Sequence, residues 1–220
     1  AFVRRLNARG WPSFGWKIAL TAETMQQMVG VDRPLCATIT APKLHQSPAD
    51  LKAADHGRIC FECEVAVRLN RDLPPAEGPY DDAAIAASVG AVAAAFEVAD
   101  DRAADYEKLE AFTLLADNGW NGGMVLGPVH ESFDGPALAD ATAVLEIDGR
   151  EVGRGVGSDA LGHPFNSLKF LANEMTGLGH TLKAGDWVLT GTVIRTQFPE
   201  PGSELVYRHS LLGEVRATVA

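Results

Sequence analysis

Residues 59–69 read ICFECEVAVRL, and their alternation decides how the rest of the chain is organised. Ile59, Phe61, Cys63, Val65, Val67 and Leu69 recur with period two and fall on one face of an extended strand. Cys60, Glu62, Glu64, Ala66 and Arg68 fall on the other. One face is wholly apolar, so the strand is pinned to a core and presents its acidic face to a cleft or to solvent. Glu62 and Glu64 then stand roughly 7 Å apart on that face. An E-x-E pair of this kind also fits a solvated strand edge with arginine partners. A hard divalent cation is the other way to relieve the repulsion, because carboxylate oxygens suit magnesium or manganese.

Working outward, AFEVADDR (95–102) reads as a short strand with Glu97 facing away from Phe96 and Val98, which makes Glu97 a third carboxylate candidate. The alanine-rich stretch Ala83 to Ala95 predicts a helix. GWKIALT (15–21) predicts a strand, and TAETMQQMVGV a short helix capped by Thr21 or Thr24 and ended by Gly30. Pro42 to Gly57 reads as a loop. LLADNGWNGGMVLG (114–127) reads as a glycine-rich turn feeding a strand. Asp148-Gly149 suits the type I′ turn of a hairpin. Pro164 suits a first helical turn, with Leu168, Leu171 and Met175 at helical spacing behind it. The tail from GDWVLTG onward is strand and turn. Strands dominate, with two or three helices, so the expected class is α+β, built on curved or packed sheets.

The chain has 220 residues, 46% of them hydrophobic and 22% charged, and is read as a single domain over 1–220. Nineteen basic residues against 29 acidic ones give a net charge of −10, which argues against a binder of nucleic-acid backbones. No run approaches the roughly 20 apolar residues of a membrane span, and no membrane partner is expected. Cys36, Cys60 and Cys63 are too few and too irregular for a disulfide framework, so a reducing compartment, the cytoplasm, is the expectation. The C-x-x-C of Cys60 and Cys63 lies within a strand, where residues three apart face opposite ways, and reads as buried structural cysteine. His163 precedes Pro164 and reads as a turn or capping residue, and the other histidines lack metal-ligand spacing. Lys17 lies inside an apolar strand, where it either snorkels outward or is held in a site. The chain starts without methionine and reaches a dense motif by residue 15, so missing N-terminal sequence is expected.

Together the segments GWKIALT, MQQMVGVDRP, FECEVAVRLNRDLP, AFEVADDR, LLADNGWNGGMVLG, GVGSDALGHPFNSLKFLAN and LKAGDWVLTG resemble the 2-keto-4-pentenoate hydratase branch of the fumarylacetoacetate hydrolase superfamily. The resemblance implies a mixed β-sandwich roll with a few peripheral helices, and metal ligands Glu62, Glu64 and Glu97 holding Mg2+ or Mn2+. It implies that Lys17 is the active-site lysine, that Leu35, Trp120 and Thr192 contact substrate, and that the chain forms a homo-oligomer. A helical segment usual before the GxK strand is expected to be absent. The implied reaction is hydration of a 2-hydroxy-2,4-dienoate through a metal-stabilised enolate, as in breakdown of aromatic ring-cleavage products. Decarboxylation of an unsaturated 2-oxo dioic acid is the runner-up, and a non-catalytic keto-acid binder the third reading. Carbon-carbon hydrolysis is disfavoured, because no histidine-glutamate pair accompanies the MQQMVGV helix. Two positions depart from the pattern. Leu35 stands where an acid is usual, and Gly119-Trp120 where small residues including a serine are usual. Both departures predict an apolar distal pocket.

Overall fold

The computed structural model describes residues 2–220. Twelve strands form two sheets among the described residues. The larger has seven strands: β1 (Ser13–Ala19), β2 (Leu35–Thr40), β3 (Leu44–Gln46), β5 (Ile59–Leu69), β6 (Val89–Asp100), β7 (Asn121–Leu126) and β10 (Trp187–Gln197), in the order β2-β1-β10-β5-β6-β7-β3. The smaller has five: β4 (Ala49–Leu51), β8 (Thr142–Ile147), β9 (Arg150–Val156), β11 (Glu204–His209) and β12 (Gly213–Val219), in the order β4-β12-β11-β8-β9. Five α-helices accompany them: α1 (Phe2–Ala8), α2 (Glu23–Met28), α3 (Asp82–Ser88), α4 (Ala111–Ala116) and α5 (Pro164–Gly177). This is the expected α+β class. None of these helices is long and apolar enough to cross a membrane.

The two sheets enclose the main core, which receives the odd-numbered face of β5 as its alternation requires. Phe61 packs edge-on against Phe96 at 5.4 Å between ring centroids, and Phe96 meets Tyr207 of the smaller sheet at 5.8 Å. Side chains of this size contribute about 1.5–3 kcal/mol each when fully buried. Leu168 and Leu171 of α5 complete the same core. Pro164 occupies the first turn of α5, and His163 caps it by accepting the Phe165 N–H at 2.9 Å.

The opposite face of the larger sheet is concave. The sheet curls until β2 packs against β7, and Asn118, just before β7, fastens the closure. Its side chain accepts from the Thr38 N–H at 3.0 Å and donates to the Thr38 carbonyl at 2.8 Å, as a neighbouring strand would. Ala66, Ala93, Ala95, Ile39, Met124, Leu126, Trp187 and Leu189 fill the floor of this trough. Small side chains on β6 let the curled walls approach.

Several elements differ from their sequence reading. The alanine-rich stretch is helical only through Ser88, and its second half is the start of β6, a strand buried on both faces. The segment between Pro42 and Gly57 contains β3 and β4. At α2 the N-cap is Ala22, with no side-chain cap, although Gly30 does end the helix at φ 72°. The hairpin turn is as read, with positive φ at both Asp148 and Gly149.

Candidate active site

Glu62 and Glu97 are cross-strand partners in the β5–β6 ladder, and Glu64 lies one same-face step along β5, opposite Ala95. Register therefore places all three on the concave face above the alanine floor. One oxygen from each lies within 4.8 Å of the others, the single group of that kind among the described residues. Glu64 and Glu97 are fully buried, and Glu62 is half-buried.

The carboxylates have few protein partners. Thr196 donates its hydroxyl to Glu62 Oε1 at 2.6 Å, and the Gly191 N–H donates to Glu64 Oε2 at 2.7 Å. Lys17 Nζ donates to Glu97 Oε1 and to the Gly119 carbonyl, the latter at 2.8 Å. Glu64 Oε1 and Glu97 Oε2 are buried without any partner. Burial, then the charges of Glu97 and Glu62, push the Glu64 carboxyl well above its ordinary range. Burial also raises Glu97, against the pull of Lys17. Burial alone would lower Lys17, but the surrounding glutamates outweigh it and hold the amine cationic. One lysine cannot neutralise three carboxylates. Converging hard oxygen donors, two of them orphaned, fit a divalent cation of the magnesium, manganese or calcium type.

Lys17 reaches this cluster from β1, where it is paired with Leu189 of β10 and Ala37 of β2. A run of three left-handed residues, Asn118, Gly119 and Trp120 (φ 53°, 60° and 57°), brings the Gly119 carbonyl onto its amine. Glycine suits 119, because a Cβ there would sit 3.0 Å from Ala37 Cβ in a left-handed backbone conformation. Trp120 holds the same conformation and is packed edge-on against Tyr106 at 5.7 Å. Leu35 and Trp120 both join an apolar cluster around Val29, Leu109 and Leu114. Leu35 also lines a cleft of about 820 Å3 with Val31, Ala111, Phe112 and Leu115. Thr192 lies opposite Glu64 in the β10–β5 ladder, its hydroxyl 2.5 Å from the Ile194 carbonyl and 3.3 Å from that of Cys63.

The structure thus brings together Lys17, Glu62, Glu64 and Glu97, sets Thr192 beside them, and gathers Leu35 and Trp120 into one wall. Cys60 and Cys63 form no disulfide. Cys63 is in the main core, while Cys60 faces the other way and bonds the Ala99 carbonyl. The sequence reading missed Asn118, Asn121, Gly191 and Thr196. Only Gly191, at the end of LKAGDWVLTG, carried a local mark: its φ is 102°, and a Cβ there would sit 2.5 Å from Thr21 Cγ2.

Comparison with known proteins bears on this arrangement. The fumarylacetoacetate (FAA) hydrolase C-terminal model matches residues 25–220. A 2-keto-4-pentenoate hydratase of Burkholderia vietnamiensis (strain G4 / LMG 22486) is 33% identical over 204 residues, covering 93% of this chain and 77% of that protein. A 2-hydroxyhexa-2,4-dienoate hydratase of Comamonas testosteroni is 31% identical over 193 residues, covering 87% and 72%. The 4-oxalocrotonate decarboxylase from Pseudomonas putida G7, solved with magnesium and adipate, superposes with a TM-score of 0.91 at 26% identity, covering 99% of this chain and 81% of that one.

Proposed function

Because the chain belongs to the fumarylacetoacetate hydrolase family, we propose that the trough of its larger sheet is the active site of a divalent-metal-dependent hydro-lyase. Its substrate is a 2-hydroxy-2,4-dienoate, the enol form of a 2-keto-4-enoate, as formed in aromatic catabolism. The observation that carries this reading is the convergence of Glu62, Glu64 and Glu97, two with orphaned oxygens, beside a buried cationic lysine. Hydratase relatives at about a third identity point the same way.

Glu62, Glu64 and Glu97 would hold the cation, which when bound neutralises charge on the two adjacent oxygens of a 2-oxo or 2-hydroxy acid. Magnesium is the proposed ion, in keeping with the magnesium complex of the decarboxylase neighbour. Lys17 keeps its positive charge fixed at the same spot, because Glu97 and the Gly119 carbonyl anchor its amine. From there it stabilises negative charge at C2 and passes a proton as the dienol, losing its hydroxyl proton, is protonated at C5. The apolar floor keeps bulk water from the buried end. Water then adds at C4 and a proton at C3, giving a 4-hydroxy-2-oxo acid.

The test is to incubate the magnesium-loaded protein with 2-hydroxypenta-2,4-dienoate and identify the product. Formation of 4-hydroxy-2-oxopentanoate, abolished by a chelator, is the expected result. Proton exchange on the substrate without hydration would overturn the hydratase reading. Decarboxylation of a 2-oxo-enedioic acid is the second reading, favoured by the 0.91 superposition on the decarboxylase. It uses the same enolate chemistry, and release of carbon dioxide from such a substrate would select it.

A further inference from the structure

Asn121 opens β7, directly after the left-handed turn, and pairs with Ala99 of β6. The pairing falls at a register shift in the β6–β7 ladder, where Asn121 and Gly122 together oppose Ala99, the residue one same-face step beyond Glu97 on the concave side. That puts Asn121 beyond Glu97 along the ladder, on the side away from the Ala93 and Ala95 floor. Its Nδ2 is buried and has no hydrogen-bond partner, a condition it shares with Glu64 Oε1 and Glu97 Oε2 on the concave face. A buried amide donor left unpaired costs about 1–3 kcal/mol, and such a group is completed by water, an ion or a ligand. Trp120, its neighbour in the chain, has an indole that can only donate.

We propose that Asn121 is the residue that recognises the oxygen at C4 of the substrate chain. Its amide N–H holds the incoming water and then the product hydroxyl. The inference rests on the hydratase reading for the identity of that oxygen. Its place suits that oxygen, because Asn121 lies beyond Glu97 in the ladder and directly follows the turn that brings the Gly119 carbonyl onto Lys17. In the addition, the water oxygen forms a bond to C4 and the C3–C4 π pair moves into the conjugated 2-oxo group. The water gives up one proton and C3 takes one up, with no net oxidation. Leu35 and Trp120 remove the acid and the serine that would otherwise orient this water, and Asn121 restores a polar group from the adjoining strand.

The donor is tested by binding as well as by turnover. Calorimetry on the magnesium-loaded protein compares 4-hydroxy-2-oxopentanoate with 2-oxopentanoate, which lacks only the C4 oxygen. The wild type should favour the hydroxy acid about fivefold, the value of one neutral hydrogen bond. Asn121→Ala and Asn121→Asp, the second nearly isosteric but without the donor, should both bring the ratio close to one, the first by weakening the hydroxy acid alone and the second by weakening both acids through its charge, the hydroxy acid more. Hydration should fall about a hundredfold in both variants, while deuterium exchange into the substrate continues. A ratio unchanged in both variants, or equal weakening of both ligands, overturns the assignment. If the wild type forms no hydrated product but loses its fivefold preference in the variants, the hydratase reading fails and Asn121 stands. If the variants keep both preference and rate, Asn121 fails and the hydratase reading stands.

Discussion

Lys17 on β1 and Glu97 on β6 are ion-paired across the inside of the curled sheet, although β10 and β5 separate their strands in hydrogen-bond order. Curvature, not strand adjacency, makes the contact. Removing the amine leaves Glu97 buried among like charges, and breaking such a pair costs about 3–5 kcal/mol. In chelator, Lys17→Met should therefore melt roughly 10 °C below the wild type. Excess magnesium should restore most of that difference, because the cation takes over neutralisation of the carboxylates. Activity should stay at least a hundredfold down even with magnesium. Unfolding under both conditions would make the lysine purely structural.

Glu62 is the half-buried member of the carboxylate group and has one protein partner, Thr196. Glu62→Gln keeps the shape and the hydrogen-bond acceptor while removing the charge, so folding should survive and cation binding should not. Magnesium titration by calorimetry should show one site in the wild type and at least a tenfold weaker one in the variant. An unchanged affinity would remove Glu62 from the proposed ligand set.

The alternation of β5 is legible in the sequence because one face meets the main core and the other meets the trough, which differ in chemistry. The same parity assigns Glu62, Glu64 and Glu97 to one side of the sheet from the residue pattern alone. The start of β6 reads wrongly because the strand is buried on both faces, so period two vanishes and the alanines register only as helix formers. β3 and β4 are three residues each, too short to show a period. Asn118 and Asn121 carry no local mark either. Their roles follow from curvature and register, which arise from strand pairings distant in sequence.

His209 makes stability pH-dependent away from the active site. It is buried at the end of β11, edge-on to Tyr207 at 6.3 Å, with Nε2 unpartnered. Burial, with His130 nearby, lowers it from 6.5 to about 4. Between those values the unfolded chain binds the extra proton, so stability rises with pH and is lost as pH falls from 6.5 toward 4. By pH 5 the loss from this residue is about 2 kcal/mol. Denaturant unfolding at pH 7 and pH 5 should show His209→Gln losing less stability between the two than the wild type. Equal losses would place the pH dependence elsewhere.

Leu35 and Trp120 form one apolar wall beside Lys17. Leu35 pairs with Ala19 one same-face step from the Lys17–Ala37 pair, and Trp120 follows the glycine whose carbonyl holds the lysine. On the proposed reading the substrate tail runs along this wall, and Leu35 also lines the cleft beside α4. Each buried methylene there is worth about 0.8 kcal/mol, or roughly fourfold in kcat/KM, and an aryl tail gains further from the indole. Across penta-, hexa- and hepta-2,4-dienoates bearing the 2-hydroxyl, kcat/KM should therefore climb about fourfold per carbon. Leu35→Asp puts an unpaired carboxylate against the tail, so it should flatten or reverse the climb while leaving the pentadienoate nearly unchanged. The C4 oxygen is served by Asn121 in every member, so the slope reports on the wall alone. A wild type that turns over the pentadienoate best, or an unchanged slope in Leu35→Asp, would mean that the tail leaves the trough by another side.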